Sequence, residues 1–118
     1  MLREVIWMGD SKKQLKAFPK ETQRSMGGAL MLAQLGGTAD NVKPFKGVGS
    51  GVFEIVESHH KNAYRMVYGV QIGEKIYVLH AFQKKSKTGI KTPKSDVDLV
   101  KQRYQQAQEL AKDDDTGH

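Results

Sequence analysis

The stretch Ala63–Lys85, AYRMVYGVQIGEKIYVLHAFQKK, decides the fold. It reads as two β-strands joined by a turn at Gly73-Glu74 and running into a cationic tail. On the first strand Tyr64, Met66 and Tyr68 alternate with Arg65, Val67 and Gly69. On the second, Tyr77, Leu79 and Ala81 alternate with Ile76, Val78, His80 and Phe82. Period-two alternation gives each strand two distinct faces. A hairpin centred on Gly73 pairs residues whose numbers sum to about 145. That register sets Arg65 beside His80, with Tyr64 and Met66 near Leu79 and Ala81. One face is apolar and suits a core. The other mixes apolar residues with an arginine and a histidine, which need polar partners or water.

Working upstream, Val52–Ser58 is a further strand, with Phe53 and Ile55 alternating with Val52, Glu54 and Val56. His59-His60-Lys61-Asn62 turns it into the hairpin. Pairing around this turn brings Glu54 close to Arg65, so that Glu54, Arg65 and His80 form a row across three strands. Two adjacent histidines at a turn, with no third ligand near them in sequence, do not argue for zinc. Residues 38–51 read as a connection containing Lys43, Pro44, Lys46 and the glycines of GVGSG. A phosphate cradle needs a helix directly after its glycines, whereas VFEIVES reads as a strand.

Further upstream, residues 20–35 carry Thr22, Met26, Ala29, Leu30 and Ala33 at helical spacing. Gly27-Gly28 inside this helix costs about 1 kcal/mol per glycine relative to alanine, and implies either close packing on the sheet or a kink. Gly36-Gly37 ends it. A shorter helix, residues 12–18, follows a cap at Asp10 or Ser11 and stops at Pro19. Residues 2–8 form a first strand around Val5, Ile6 and Trp7. Trp7 and Tyr104 read as core residues.

Downstream come Lys84, Lys85, Lys87, Lys91 and Lys94, then a helix over residues 94–112 that starts after Thr92-Pro93. Its apolar stripe is Val97, Val100, Tyr104, Ala107 and Ala111, with Leu110 at the edge. The expected fold is α+β: a mostly antiparallel sheet, N-terminal helices packed on one face, and a C-terminal helix. Residues 1–112 form one domain in this reading, and residues 113–118 a disordered tail.

The charge balance is basic, with 19 Lys and Arg against 13 Asp and Glu in 118 residues. This favours a polyanionic partner, although solubility alone also accounts for it. There are no cysteines, which excludes disulfides, a thiol nucleophile and Cys-ligated zinc. No window approaches the roughly 20 apolar residues of a membrane helix, and the N-terminal apolar run is too short for a signal peptide. The expectation is a soluble, cytoplasmic protein that engages no membrane.

Read together, AFPKETQ, ALMLAQLGG, KPFKGVGSGVFEI, AYRMVYGV and IYVLHAFQKKSKTGIKTPKSD, followed by a helix containing Arg103, resemble the RelE/HigB-like toxins of bacterial type II toxin–antitoxin systems. The likeness is to the phage-derived branch, and it runs in the same order over about residues 5–110. It implies a compact microbial-ribonuclease-like sheet and an endoribonuclease that cleaves mRNA, usually on translating ribosomes. It also implies a cognate helix-turn-helix antitoxin that silences the toxin, and no cofactor.

Metal-independent RNA cleavage needs three things: an activated 2′-hydroxyl, a stabilised phosphorane and a protonated leaving oxygen. Arg65 suits the second, because its planar fork matches phosphate, and Lys84 adds charge at the same edge. His80 suits acid or base work, because the unperturbed pKa of a histidine lies near neutrality. Glu54 is either a base or the group that holds Arg65. Lys43, Lys46, Lys85, Lys87 and Lys91 are the expected RNA-binding residues. The plainer readings are a structural Glu54–Arg65 ion pair, a partly buried His80 bonded to backbone, and a solvated lysine loop. At the level of activity the alternatives are a ParE-like poison of DNA gyrase and a basic RNA- or ribosome-binding module without catalysis.

Overall fold

The structure, a computed structural model, describes residues 2–84 and 92–116. In chain order the elements are β1 (Val5–Trp7), α1 (Ser11–Lys16), α2 (Lys20–Gln34), β2 (Val42–Pro44), β3 (Val52–His59), β4 (Asn62–Ile72), β5 (Lys75–Lys84) and α3 (Lys94–Thr116). The five strands make one sheet in the order β1-β5-β4-β3-β2. β1 runs parallel to β5, and every other pair is antiparallel. The α+β architecture expected from the sequence is the one observed. Among the described residues, no helix is long and apolar enough to cross a membrane.

The helices divide between the two faces of the sheet. Phe18 with Met26, Ala29, Leu30 and Ala33 of α2 packs on Ile55, Met66, Tyr68, Ile76, Val78 and Ala81. On the opposite face, Val100, Ala107 and Ala111 of α3 pack on Val52, Val67, Ile72, Tyr77, Leu79 and Phe82. Both helices bury the stripes their 3.6-residue periodicity defines. Leu110 stays 44% exposed at the edge of the α3 stripe. The helix continues past Lys112 to Thr116, so residues 113–116, expected in a tail, extend α3; the first glycine beyond the stripe is Gly117.

Hairpin geometry differs from the sequence reading in an informative way. Ile72 pairs with Lys75 around the two-residue loop Gly73-Glu74, and Arg65 pairs with Phe82 rather than His80. The loop is centred between Gly73 and Glu74, which moves the register along by two residues. Gly73 alone of the pair has positive φ, +62°, the signature of a hairpin turn with glycine at its first central position. A shift of two preserves the faces, but a bulge between Val67 and Tyr68 does not. Opposite it, Leu79 is the extra residue of β5, and both Leu79 and Phe82 reach the α3 side while Val78 and Ala81 reach the α2 side. Leu79 therefore does not join Met66, as simple alternation had it.

A strand was missed in the connection before β3. Val42, Lys43 and Pro44 pair with Ile55, Glu54 and Phe53, and the amide of Phe45 donates to the Val52 carbonyl at 2.9 Å. Phe45 is buried in the α3-side core, and that anchor draws a proline-containing segment onto the sheet edge. In the following loop Gly49 and Gly51 sit where packing leaves no room for a side chain, whereas Gly47, at φ +92°, has open space around it. A side chain at Gly49 would stand 2.6 Å from the Tyr104 hydroxyl. At the end of α2, Gly37 donates to the Leu32 carbonyl and Gly36, at φ +89°, to that of Ala33; these bonds close a Schellman cap.

Candidate functional site

α3 starts over the middle of β5 and runs back toward the Gly73 turn, where Ala111 lies against it. The far end of that sheet face, beyond the first turn of α3, is built differently from the rest. Alternation on β3, β4 and β5 sends Glu54, Arg65 and Lys84 to it, and the edge strand β2 adds Lys43 opposite Glu54. Glu54, Arg65 and Lys84 are all buried.

The Arg65 guanidinium donates through Nη1 to Glu54 Oε1. The two residues sit on a diagonal, since Glu54 lies opposite Val67 and Arg65 opposite Val56; the long arginine spans the offset. Lys43 Nζ lies 3.8 Å from the same carboxylate oxygen. Its side chain is more than half exposed, so that contact contributes little. Arg65 Nε and Lys84 Nζ have no hydrogen-bond partner among the described residues. Burial lowers the pKa of Lys84, and the charges of Arg65 and Lys43 push the same way against the opposing pull of Glu54. Each buried donor left unmade costs about 1–3 kcal/mol. An oxyanion reaching both nitrogens would remove that penalty and meet a net positive field.

His80 belongs to a neighbouring arrangement. Its Nε2 hydrogen-bonds Asp96 Oδ1 at 2.8 Å, in the first turn of α3. Its ring stacks on Phe82, with centroids 4.8 Å apart and planes 17° from parallel. The row that would have joined it to Arg65 is displaced: Glu54, Val67 and His80 share one row, and Val56, Arg65 and Phe82 the next. Its Nδ1 is buried without a partner among the described residues. His80 thus pins the start of α3 to the sheet, next to the charged cluster and outside the Glu54–Arg65 contact.

The other candidates are scattered. Lys46 is exposed in the loop after β2. Lys85, Lys87 and Lys91 lie outside the described residues. His59 and His60 stack edge-on at the β3–β4 turn, and His59 Nδ1 lies 3.7 Å from Glu21. Among the described residues no three His, Asp or Glu side chains come together as metal ligands.

Two contributors were not anticipated. Asp96 is readable as a first-turn acid that suits a helix N-terminus, but its pairing with His80 depends on the docking of α3. Arg103 donates to the carbonyl of the bulged Leu79 at 3.0 Å and to Asp10 at 2.8 Å. The same guanidinium occupies the space above Gly9, where a side chain would stand 2.6 Å away. Its bond to Asp10 holds that carboxyl below its ordinary pKa. Asp10 does occupy the N-cap position of α1, yet its side chain makes no cap hydrogen bond; it is turned to Arg103 and Gln14 instead.

No curated protein matches the chain. The model of the family described as Phage derived protein Gp49-like (DUF891) matches residues 13–105. This span runs from α1 into α3 and includes Lys43, Glu54, Arg65, His80 and Lys84. The chain therefore belongs to the phage-derived Gp49-like family, a RelE-like toxin family of toxin–antitoxin systems.

Proposed function

We propose that this protein is the toxin of a type II toxin–antitoxin pair and acts as a metal-independent endoribonuclease on mRNA under translation. The observation that carries the reading is the buried Arg65, braced by Glu54, next to a Lys84 whose ammonium has no partner among the described residues. Cleavage proceeds by attack of a 2′-hydroxyl oxygen on the adjacent phosphorus, its proton passing to solvent. The bond to the 5′-oxygen breaks, leaving a 2′,3′-cyclic phosphate and a 5′-hydroxyl.

Arg65 and Lys84 stabilise the extra negative charge of the phosphorane in a low-dielectric setting, where such contacts are strongest. A lowered ammonium pKa also makes Lys84 a better proton donor to the departing oxygen. Glu54, already engaged by Arg65 and Lys43, is a positioning residue in this scheme rather than the base. His80 acts through Asp96 as an anchor for α3. Lys43, Lys46, Lys85, Lys87 and Lys91 supply a salt-dependent grip on the RNA backbone.

A second reading, anion binding without cleavage, draws on the same burial of Arg65 and Lys84 and on the absence of a free acid–base pair among the described residues beside them. Induced expression in a bacterial host, with primer-extension mapping of a reporter mRNA, separates the readings. New in-frame cuts that disappear in Arg65→Ala support the ribonuclease. A loss of at least about a hundredfold in cutting is expected, the scale of removing one oxyanion donor. Growth arrest with intact mRNA and impaired supercoiling would transfer the activity to gyrase. Neither arrest nor cuts would leave a binding module.

A further inference from the structure

The outward side of α2 has a use that the fold does not account for. At 100° per residue, Thr22, Met26, Ala29, Leu30 and Ala33 turn inward and are buried. The ridge opposite them consists of Lys20, Arg24, Gly27, Gly28, Met31 and Leu35, all exposed. It changes character along its length of about 22 Å. The first turn and a half is cationic; the last is apolar, with Met31 47% and Leu35 63% exposed. Between the two halves lie the glycines, and a side chain at either would meet nothing within 4 Å.

Three features of this ridge need a cause outside the monomer. Two helix-interior glycines cost about 1 kcal/mol each against alanine, and among the described residues nothing approaches the space they leave. Large apolar side chains sit contiguously in water at the end of an otherwise well-patterned helix. Lys20 and Arg24 have no ion pair among the described residues, and the one acid of the first turn, Glu21, faces His59.

From these features we infer that the α2 ridge is a docking surface for an acidic amphipathic helix of a partner protein. The partner's apolar stripe covers Met31 and Leu35, its backbone approaches closely over Gly27-Gly28, and its carboxylates meet Lys20 and Arg24. Charge complementarity selects this occupant over a second copy of the chain. Two copies meeting along the ridge would oppose cation to cation or cation to apolar surface, and neither arrangement supplies an acid. The antitoxin is the source of the helix on the family reading, and the inference rests on that reading for the partner's identity. Because α2 covers the sheet face opposite Arg65 and Lys84, this contact grips the toxin from behind its candidate site.

The test is a calorimetric titration of the purified full chain with its purified cognate antitoxin, for the parent and for Gly28→Leu, Leu35→Glu and Arg24→Glu. Each variant is expected to weaken binding about tenfold or more, as for truncation at the centre of an interface. Arg24→Glu should also flatten the salt dependence. Circular-dichroism melts of the free variants verify that they fold. Parent-like affinity in all three folded variants overturns the docking surface and leaves the toxin reading standing. No binding by the parent overturns both. A parent that sediments as a dimer, dissociated by Leu35→Glu, overturns the proposal in favour of a second copy.

Discussion

The two faces of the sheet solve the same packing problem with different completeness. On the α2 side the strand positions beneath the helices are mostly apolar, with Glu57 accepting a hydrogen bond from Ser25 of α2, and Ile55, Met66, Ile76 and Val78 are wholly excluded from solvent. On the α3 side the apolar surface reaches from Ile72 to Phe82 and then gives way to Glu54, Arg65 and Lys84. The difference follows from where the helices lie. α3 begins over His80, so the strands outrun it, and the end of the face beyond α3 carries charge. That end is held by an ion pair and a stacked, hydrogen-bonded histidine instead of by interdigitated side chains. The α2 side is closed by apolar packing, and the charged candidate site lies on the α3 side.

If that division is right, the largest stability loss should come from breaking the ionic end in half. Glu54→Ala leaves the Arg65 guanidinium buried without its carboxylate, and should cost roughly 3–5 kcal/mol in urea unfolding. A cost below about 1 kcal/mol, typical of exposed pairs, would mean that the pair is effectively solvated. Next in size is the apolar face: Met66→Ala should lose about 3 kcal/mol through transfer and cavity terms, with RNA cleavage per folded molecule unchanged.

A smaller effect should appear at Lys84, and its sign is fixed by linkage. The folded pKa lies below that of the unfolded chain, so between the two values the unfolded chain binds more protons and stability rises with pH. Lys84→Met should abolish that rise and be the more stable protein at neutral pH. Parallel unfolding midpoints near pH 7 and near pH 10 for both proteins would expose a mistake. Smallest are the glycines of α2. Gly27→Ala and Gly28→Ala should each stabilise the free chain by about 1 kcal/mol, seen as a higher melting temperature. A destabilisation would show that the space above them is used within the monomer.

The parts of this molecule that were legible in the sequence are those set by local rules. The burial stripe of α2, the stripe of α3, the strand periodicity around Tyr64–Tyr68 and the turn at Gly73 follow from spacing and backbone preference alone. So does the meeting of Glu54 and Arg65, because a diagonal reach tolerates a register offset of two residues, which keeps both side chains on one face. His80 shows where such reading stops. Its placement depends on whether the loop centre falls on Gly73 or beside it, and on a bulge whose extra residue is an ordinary leucine. Val78-Leu79-His80 carries no glycine to announce that irregularity. The partner of the bulge, Arg103, lies 24 residues away in sequence. β2 escaped notice for a similar reason: three residues containing a proline have no strand signature of their own and are recruited by Phe45.

The shortness of the outermost strands has a consequence for how this chain behaves in a crowded cell. Both edges of the sheet, β1 and β2, are only three residues long. β2 also carries Pro44, which lacks a backbone donor, and the exposed charge of Lys43. The long strands β3, β4 and β5, rich in Val, Ile and Tyr, would be adhesive templates if any of them lay at an edge. β4 lies inside the sheet, while β1 covers β5 over residues 76–78 and β2 covers β3 over residues 53–55. The outermost strands that a second copy would meet are therefore short, and at β2 charged and proline-broken, which works against edge-to-edge growth with its own copies.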